Sequence, residues 1–192
     1  MNLLGISGSV RNCSYNLALL NAMQELQPKD ITLNIYDQIK NIPIFDPDID
    51  EKELPTSVCS LISMMRNSDG LIISTPEYAH GVPGALKNTL DWLVSSDALI
   101  LKPIVVTSVS TSGLGGVRSH SPLLLILSAM NTNVVVEGSM NVPYAQSKFN
   151  EGLQLTDELT RRAIEISFMA MSQAVKNTSK VLKSGTSQNG AP

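Results

Sequence analysis

The 192-residue sequence lacks the features that mark several whole classes of protein. Its two cysteines, Cys13 and Cys59, lie far apart and in no CxxC spacing. That excludes a disulfide framework and a thiolate zinc site, and it suits a reducing compartment. Lysine and arginine form no long run and the formal net charge is −3, so the chain has no basic field for nucleic acid or an anionic membrane surface. No stretch approaches the roughly 20 apolar residues that span a bilayer. The N-terminus has no charged segment followed by an apolar one, so a cytoplasmic protein is expected. There is no GK[ST] segment, and Gly5 with Gly8 does not make GxGxxG; an NTPase, or a dinucleotide held tightly at the first turn, is disfavoured.

What is present alternates between two periods. Leu3-Leu4-Gly5-Ile6 reads as a buried strand, and Leu19, Leu20, Met23 and Leu26 follow at helical spacing before Pro28. Ile31, Leu33 and Ile35 alternate like a strand near a sheet edge, residues 58–65 read as a helix, and Leu71-Ile72-Ile73 as the next strand. Pro83 suits a first helical position, with Leu86, Leu90, Leu93 and Val94 as one apolar stripe. Strands are expected at residues 104–106 and 134–136. A long last helix follows, with Leu159, Ala163, Ile166 and Ala170 along its buried side and Asp157 and Glu158 at its start. This alternation implies one α/β domain over residues 1–183, a parallel sheet covered by helices on both faces, and a polar tail at 184–192. The connection over residues 37–55 is long and carries three prolines; such loops are usually functional, interfacial or disordered.

Ligands of open parallel sheets sit beyond the carboxyl ends of the strands. Three strand-to-helix turns on that edge have unusual composition. The first, SGSVRNCSYN at residues 7–16, combines hydroxyl and amide groups, a forked arginine and a helix N-terminus, which together suit a phosphate monoester. The second, TPEYAHGVPG at 75–84, is stiffened by proline at both ends. Its Tyr78 either lies along a planar heterocycle or covers the sheet edge, and His80 either reaches a ligand or is merely solvated. The third, SVSTSGLGGVR at 108–118, is rich in glycine and hydroxyls and lets the backbone approach a flat ligand closely.

These residues resemble the NADPH-dependent FMN reductase family, the flavodoxin-like group that includes quinone, azo-dye and chromate reductases. The family phosphate loop, approximately GSxRxxSxN, is matched by Gly8-Ser9-Val10-Arg11-Asn12-Cys13-Ser14-Tyr15-Asn16. PEYN followed by PGxLKNxxDW is matched by Pro76-Glu77-Tyr78 and by PGALKNTLDW at 83–92, and GGxR by Gly115-Gly116-Val117-Arg118. PIFDPD in the long connection is similar to the family's LPLFDPD. The resemblance covers roughly residues 3 to 175.

It implies a flavodoxin-like three-layer sandwich with a five-stranded parallel sheet in the order 2-1-3-4-5. FMN phosphate contacts would fall to Ser9, Arg11, Ser14 and Asn16, and Tyr15 would also bind the cofactor. Ring contacts would fall to Pro76, Glu77, Tyr78 and the backbone of Ala79, and to Ser110, Gly113 and Gly116. It further implies NADPH or NADH as co-substrate, a small acceptor such as a flavin, quinone, azo compound or metal oxyanion, ping-pong turnover, and a homodimer or homotetramer formed through the helix carrying LKNTLDW. No catalytic acid, base, nucleophile or metal ligand is expected, because the flavin supplies the chemistry. The alternative is an FMN electron carrier or redox sensor without turnover. Two positions depart from the pattern: Ala79 stands where the family commonly has Asn, and Pro122 is expected to kink or delay the helix after GGxR. Cys13 is read as inert with FMN bound and more reactive without it.

Overall fold

The structure, a computed structural model, describes residues 1–186; the expected tail lies outside the described residues from 187 onward. Leu3, Leu4 and Ile6 are apolar on both sides of the pleat, and each is at most 2% exposed, as a central parallel strand requires. They lie in β1 (Asn2–Ser7), which pairs in parallel with β2 (Thr32–Tyr36) and β3 (Gly70–Thr75). β3 pairs in turn with β4 (Pro103–Val109). With β5 (Asn133–Val134) beyond β4, the sheet order is β2-β1-β3-β4-β5, that of a flavodoxin-like α/β fold.

Helices cover both faces. Leu4, Ile6, Leu71, Ile73, Ile104 and Val106 pack against α2 (Thr56–Arg66), α3 (Gly84–Asp91) and α4 (Val117–Ala129). Leu3, Ile72 and Val105 pack against α1 (Tyr15–Glu25) and α5 (Glu158–Thr186). The sequence therefore foretells the layers correctly, and the differences are local.

The fifth strand is split. β5 (Asn133–Val134) pairs with Pro103 and Ile104, the chain leaves in a 3-10 turn at Val136–Gly138, and β6 (Met140–Val142) rejoins β4 at Thr107, Ser108 and Val109. Val136 is not in the strand and is 65% exposed. The Val106 N–H donates to the Ser139 hydroxyl at 3.1 Å, so a side chain bridges the gap in the ladder. On α5 the expected stripe divides: Ala163 is half-buried and Ala170 packs at the edge of the core. Leu159 and Ile166 are 71% and 56% exposed, whereas Thr160, Ile164, Ser167, Phe168 and Met171 pack on the sheet. Helix α3 ends at Asp91, so Val94 leaves its stripe and is 66% exposed. Helix α4 starts at Val117 without delay and runs through the exposed Pro122.

The long connection is tied to α3. Asn88 accepts from Phe45 N–H at 2.8 Å and donates to Pro43 O at 2.8 Å, Trp92 Nε1 donates to Pro43 O at 2.9 Å, and Phe45 meets the Trp92 ring edge-on at 5.2 Å. Trp92 is thereby buried in the core. Among the described residues no helix is long and apolar enough to cross a membrane, and no three His, Cys, Asp or Glu side chains gather to hold a metal.

Candidate functional site

The three unusual turns meet at the carboxyl edge of the sheet and enclose a cavity of about 210 Å³. It is lined by Ser9, Arg11, Cys13, Ser14, Tyr15 and Asn16 from the first turn, Pro76, Glu77 and Tyr78 from the second, and Val109, Ser110 and Thr111 from the third. The volume is small for a ligand cleft, as suits a site that encloses one end of a long ligand and leaves the rest open.

In the first turn, the lack of a side chain at Gly8 brings two loops together. A Cβ there would stand 2.9 Å from Leu86 Cδ2 and 3.3 Å from Thr75 Cα, and Gly8 N–H donates to Ser74 O at 2.8 Å. Ser9 Oγ accepts from Arg11 N–H at 3.3 Å and lies 3.2 Å from the Tyr78 hydroxyl, which ties the first turn to the second. Ser14 caps α1 by accepting from Asn16 N–H at 3.2 Å. Among the described residues the N–H groups of Val10, Asn12, Cys13 and Ser14 have no internal acceptor, and the exposed Arg11 guanidinium has neither a hydrogen bond nor an ion pair. Free amides beside a helix N-terminus and an unpaired arginine form a cradle for a phosphate dianion.

Asn16 behaves differently from a free donor. It is 3% exposed, its Nδ2 donates to Val109 O at 3.1 Å, and its Oδ1 accepts from Ser74 Oγ at 3.1 Å and Val109 N–H at 3.0 Å. Its side chain therefore joins α1 to β3 and β4 beneath the cavity.

In the second turn, Tyr78 and Gly81 exchange backbone hydrogen bonds, and Ala79 and His80 between them have φ of +48° and +60°. Both central residues at positive φ mark a type I′ turn. The Glu77 carboxylate accepts from Arg118 N–H at 3.1 Å, in the first turn of α4, where a negative charge is favourable. It lies 3.1 Å from His80 Nδ1 on its other oxygen.

The third turn is braced from behind. Ser108 Oγ donates to Gly115 O at 2.6 Å, Ser110 N–H to Val142 O at 3.0 Å, and Tyr144 N–H to Ser112 O at 3.2 Å. Gly116, at φ +84°, caps α4. A Cβ on Gly113 would meet the Tyr144 hydroxyl at 2.6 Å, so this glycine makes room for a tyrosine.

Of the expected site residues, Ser9, Arg11, Ser14, Tyr15, Asn16, Pro76, Glu77, Tyr78 and Ser110 line the cavity together. Ala79, Gly113 and Gly116 are not among its lining residues; they shape the loops that bound it. Sequence reasoning passed over Val109 and Thr111. It also passed over Tyr144, whose loop follows β6 at the same edge and was signalled only by Pro143-Tyr144 after the last strand.

A family model described as NADPH-dependent FMN reductase matches residues 1–147. An NADH:(hydroxy)cinnamate reductase subunit of Vibrio ruber is 34% identical over 161 residues, 82% of this chain and 79% of that protein. A quinone reductase of Escherichia coli is 32% identical over 138 residues, 70% of this chain and 73% of its own. Among solved structures, the FerB NAD(P)H:(acceptor) oxidoreductase of Paracoccus denitrificans superposes with a TM-score of 0.82 at 22% identity, covering 92% of this chain and 98% of that one.

Proposed function

The chain belongs to the NADPH-dependent FMN reductase family, and from that premise we propose that it holds FMN in the cavity between the three turns and uses NADPH or NADH to reduce a small acceptor. A flavin, quinone, azo compound or metal oxyanion is the acceptor class. The observation that carries this reading is the convergence around one cavity of Arg11, without a guanidinium partner among the described residues, the free backbone amides of Cys13 and Ser14, and a stiff Pro-Glu-Tyr segment.

The phosphate fits Arg11 and the amides of Val10, Asn12, Cys13 and Ser14, with the Ser9 and Ser14 hydroxyls beside them. Pro76, Glu77, Tyr78 and Ser110 fit the planar end, and Ala79, Gly113 and Gly116 support it through the backbone shapes they allow. FMN held there would supply the redox chemistry, hydride acceptance from a nicotinamide and electron delivery to the acceptor. The protein's part is to anchor one end and leave one face of the ring open, because both substrates must reach it in turn. No side chain of this chain is assigned a proton-transfer role. A cytoplasmic homodimer or homotetramer completes the reading, supported by the exposed apolar Ile44 and Val94 beside α3, 87% and 66% exposed.

The test is spectroscopic. The purified protein reconstituted with FMN is expected to show a bound-flavin spectrum that bleaches anaerobically on addition of NADPH or NADH and returns on addition of a quinone. Arg11→Ala is expected to weaken FMN binding about tenfold or more, the size of one charge-assisted hydrogen bond. A protein that binds no FMN, or whose flavin neither nicotinamide reduces, refutes the reading.

A further inference from the structure

We propose that Arg118, with His80 as its resting partner, is a receptor for a phosphoryl group of the nicotinamide co-substrate, beside the cavity and outside the phosphate cradle of the first turn. The inference rests on the FMN-site reading above.

The chain has five arginines, and three are engaged. Arg66 pairs with Asp97 at 2.6 Å, Arg161 donates to Leu155 O at 2.7 Å, and Arg162 lies 3.8 Å from Glu158. The other two, Arg11 and Arg118, meet neither a carboxylate nor a backbone carbonyl through their guanidinium groups among the described residues. Both belong to the same site. Arg11 lines the cavity. Arg118 stands outside it, linked through its own N–H to Glu77, which does line it. One forked cation thus lines the cavity, and another, exposed, is tied through its backbone to a residue that lines it, each with donors to spare.

Among the described residues the only partner of the Arg118 guanidinium is His80, itself 72% exposed, with Nη1 at 2.9 Å from His80 Nδ1. The same nitrogen lies 3.1 Å from Glu77 Oε1. A single imidazole nitrogen cannot accept from a guanidinium and donate to a carboxylate at once. If Nδ1 donates to Glu77, the guanidinium is left with Nε2 at 3.5 Å, at the limit of a hydrogen bond, so the Arg118–His80 contact is a weak resting place. A phosphoryl group would take the guanidinium as a fork and leave His80 Nδ1 free to donate to Glu77, which satisfies all three groups. His80 also has φ +60°, a backbone conformation that carries strain in a non-glycine residue and tends to gather at functional sites.

The location selects the co-substrate. If the cofactor's phosphate occupies Arg11, the phosphates of the nicotinamide co-substrate would need a second receptor, while a quinone acceptor brings no such group. The shared chemistry is a phosphoryl group, from either the pyrophosphate or the 2′-phosphate.

The experiment compares KM for NADPH and NADH, at one fixed quinone concentration, in FMN-loaded wild type, Arg118→Ala, Arg118→Lys and His80→Ala, with flavin content measured from absorbance. Arg118→Ala is expected to raise KM for NADPH by about ten- to a hundredfold, the range of a charge-assisted contact. Arg118→Lys, which keeps charge but loses the fork, should fall between. A rise confined to NADPH assigns the 2′-phosphate, and an equal rise with NADH assigns the pyrophosphate. If both KM values stay within about twofold of wild type in flavin-loaded Arg118→Ala, the proposal is overturned. Loss of FMN from that variant also overturns it, by placing Arg118 in the cofactor cradle. A wild-type protein that binds no FMN overturns the proposal together with the reading it rests on.

Discussion

Ala79 and His80 sit at the two central positions of the Tyr78–Gly81 turn, both at positive φ, where Asn-Gly is the preferred pair. From the sequence, Ala79 looked like a lost side-chain contact to the flavin, since the family commonly has Asn there. The backbone supplies another reason for Asn at that place: it tolerates the left-handed region far better than alanine does. Such strain costs about 1 kcal/mol or more per residue. Ala79→Asn is therefore expected to raise stability by roughly 0.5–1 kcal/mol in urea unfolding of the FMN-free protein, with no ligand needed to see it. If the gain appears only with FMN bound, a direct contact from position 79 is the better account. A φ value is not written in residue type alone, which is why the turn's demand at position 79 was not visible in the sequence, whereas the place of Arg11 in the first turn and on the cavity wall was.

Helices were legible in existence and less so in face. Helix α5 carries two apolar sets at helical spacing, Leu159/Ala163/Ile166/Ala170 and Ile164/Phe168/Met171, and Thr160 and Ser167 dilute the second. The buried set is the diluted one: the Ser167 hydroxyl donates to the Gly138 carbonyl of the 3-10 turn, and the Thr160 hydroxyl donates to Asp157. The fifth strand was misread for a related reason: Val134-Val135-Val136 is apolar throughout, but the ladder is interrupted where Ser139 stands in for a backbone acceptor. At its start α5 is held by Asp157, whose Oδ2 accepts from Thr160 N–H at 2.9 Å and whose Oδ1 receives Lys148 Nζ at 2.8 Å. The Lys148 hydrogen bond, with those of Thr160, holds the Asp157 carboxyl below its usual 3.8 against the opposing effect of burial. A carboxyl lowered in the folded state stabilises fully above its unfolded value and loses that stabilisation as pH falls through the folded one. Asp157→Asn keeps a competent helix cap but removes the charge. It is expected to cost about 1 kcal/mol at neutral pH, and the difference from wild type should shrink in acid, below 3.8, when unfolding is followed by circular dichroism. A difference that persists unchanged at low pH would show that Lys148 contributes nothing through charge.

Across the whole molecule, each central strand changes character as it nears the functional edge. β1 ends Ile6-Ser7, β3 ends Ile73-Ser74-Thr75, and β4 ends Val106-Thr107-Ser108-Val109; Ser7, Ser74 and Thr107 lie in register and are fully buried. The apolar halves build the two cores, and the hydroxyl ends form the floor on which the three turns stand. That gradient is visible in the sequence once the strands are aligned, which is why fold and edge could be read together. Asn16 was not legible in the same way, because its partners Ser74 and Val109 lie 58 and 93 positions away. The sequence offered it as a phosphate ligand, whereas its side chain bridges α1, β3 and β4. The two roles separate in one experiment. Removing the amide with Asn16→Ala leaves the buried Ser74 hydroxyl and the Val109 N–H and carbonyl without their partner, and each such group costs about 1–3 kcal/mol. The FMN-free protein is therefore expected to lose about 3 kcal/mol or more in urea unfolding, with weaker FMN binding as a consequence of a loosened floor. Were Asn16 only a phosphate ligand, FMN affinity would fall while the stability of the FMN-free protein stayed where it was, because an external ligand adds stability only when it is bound.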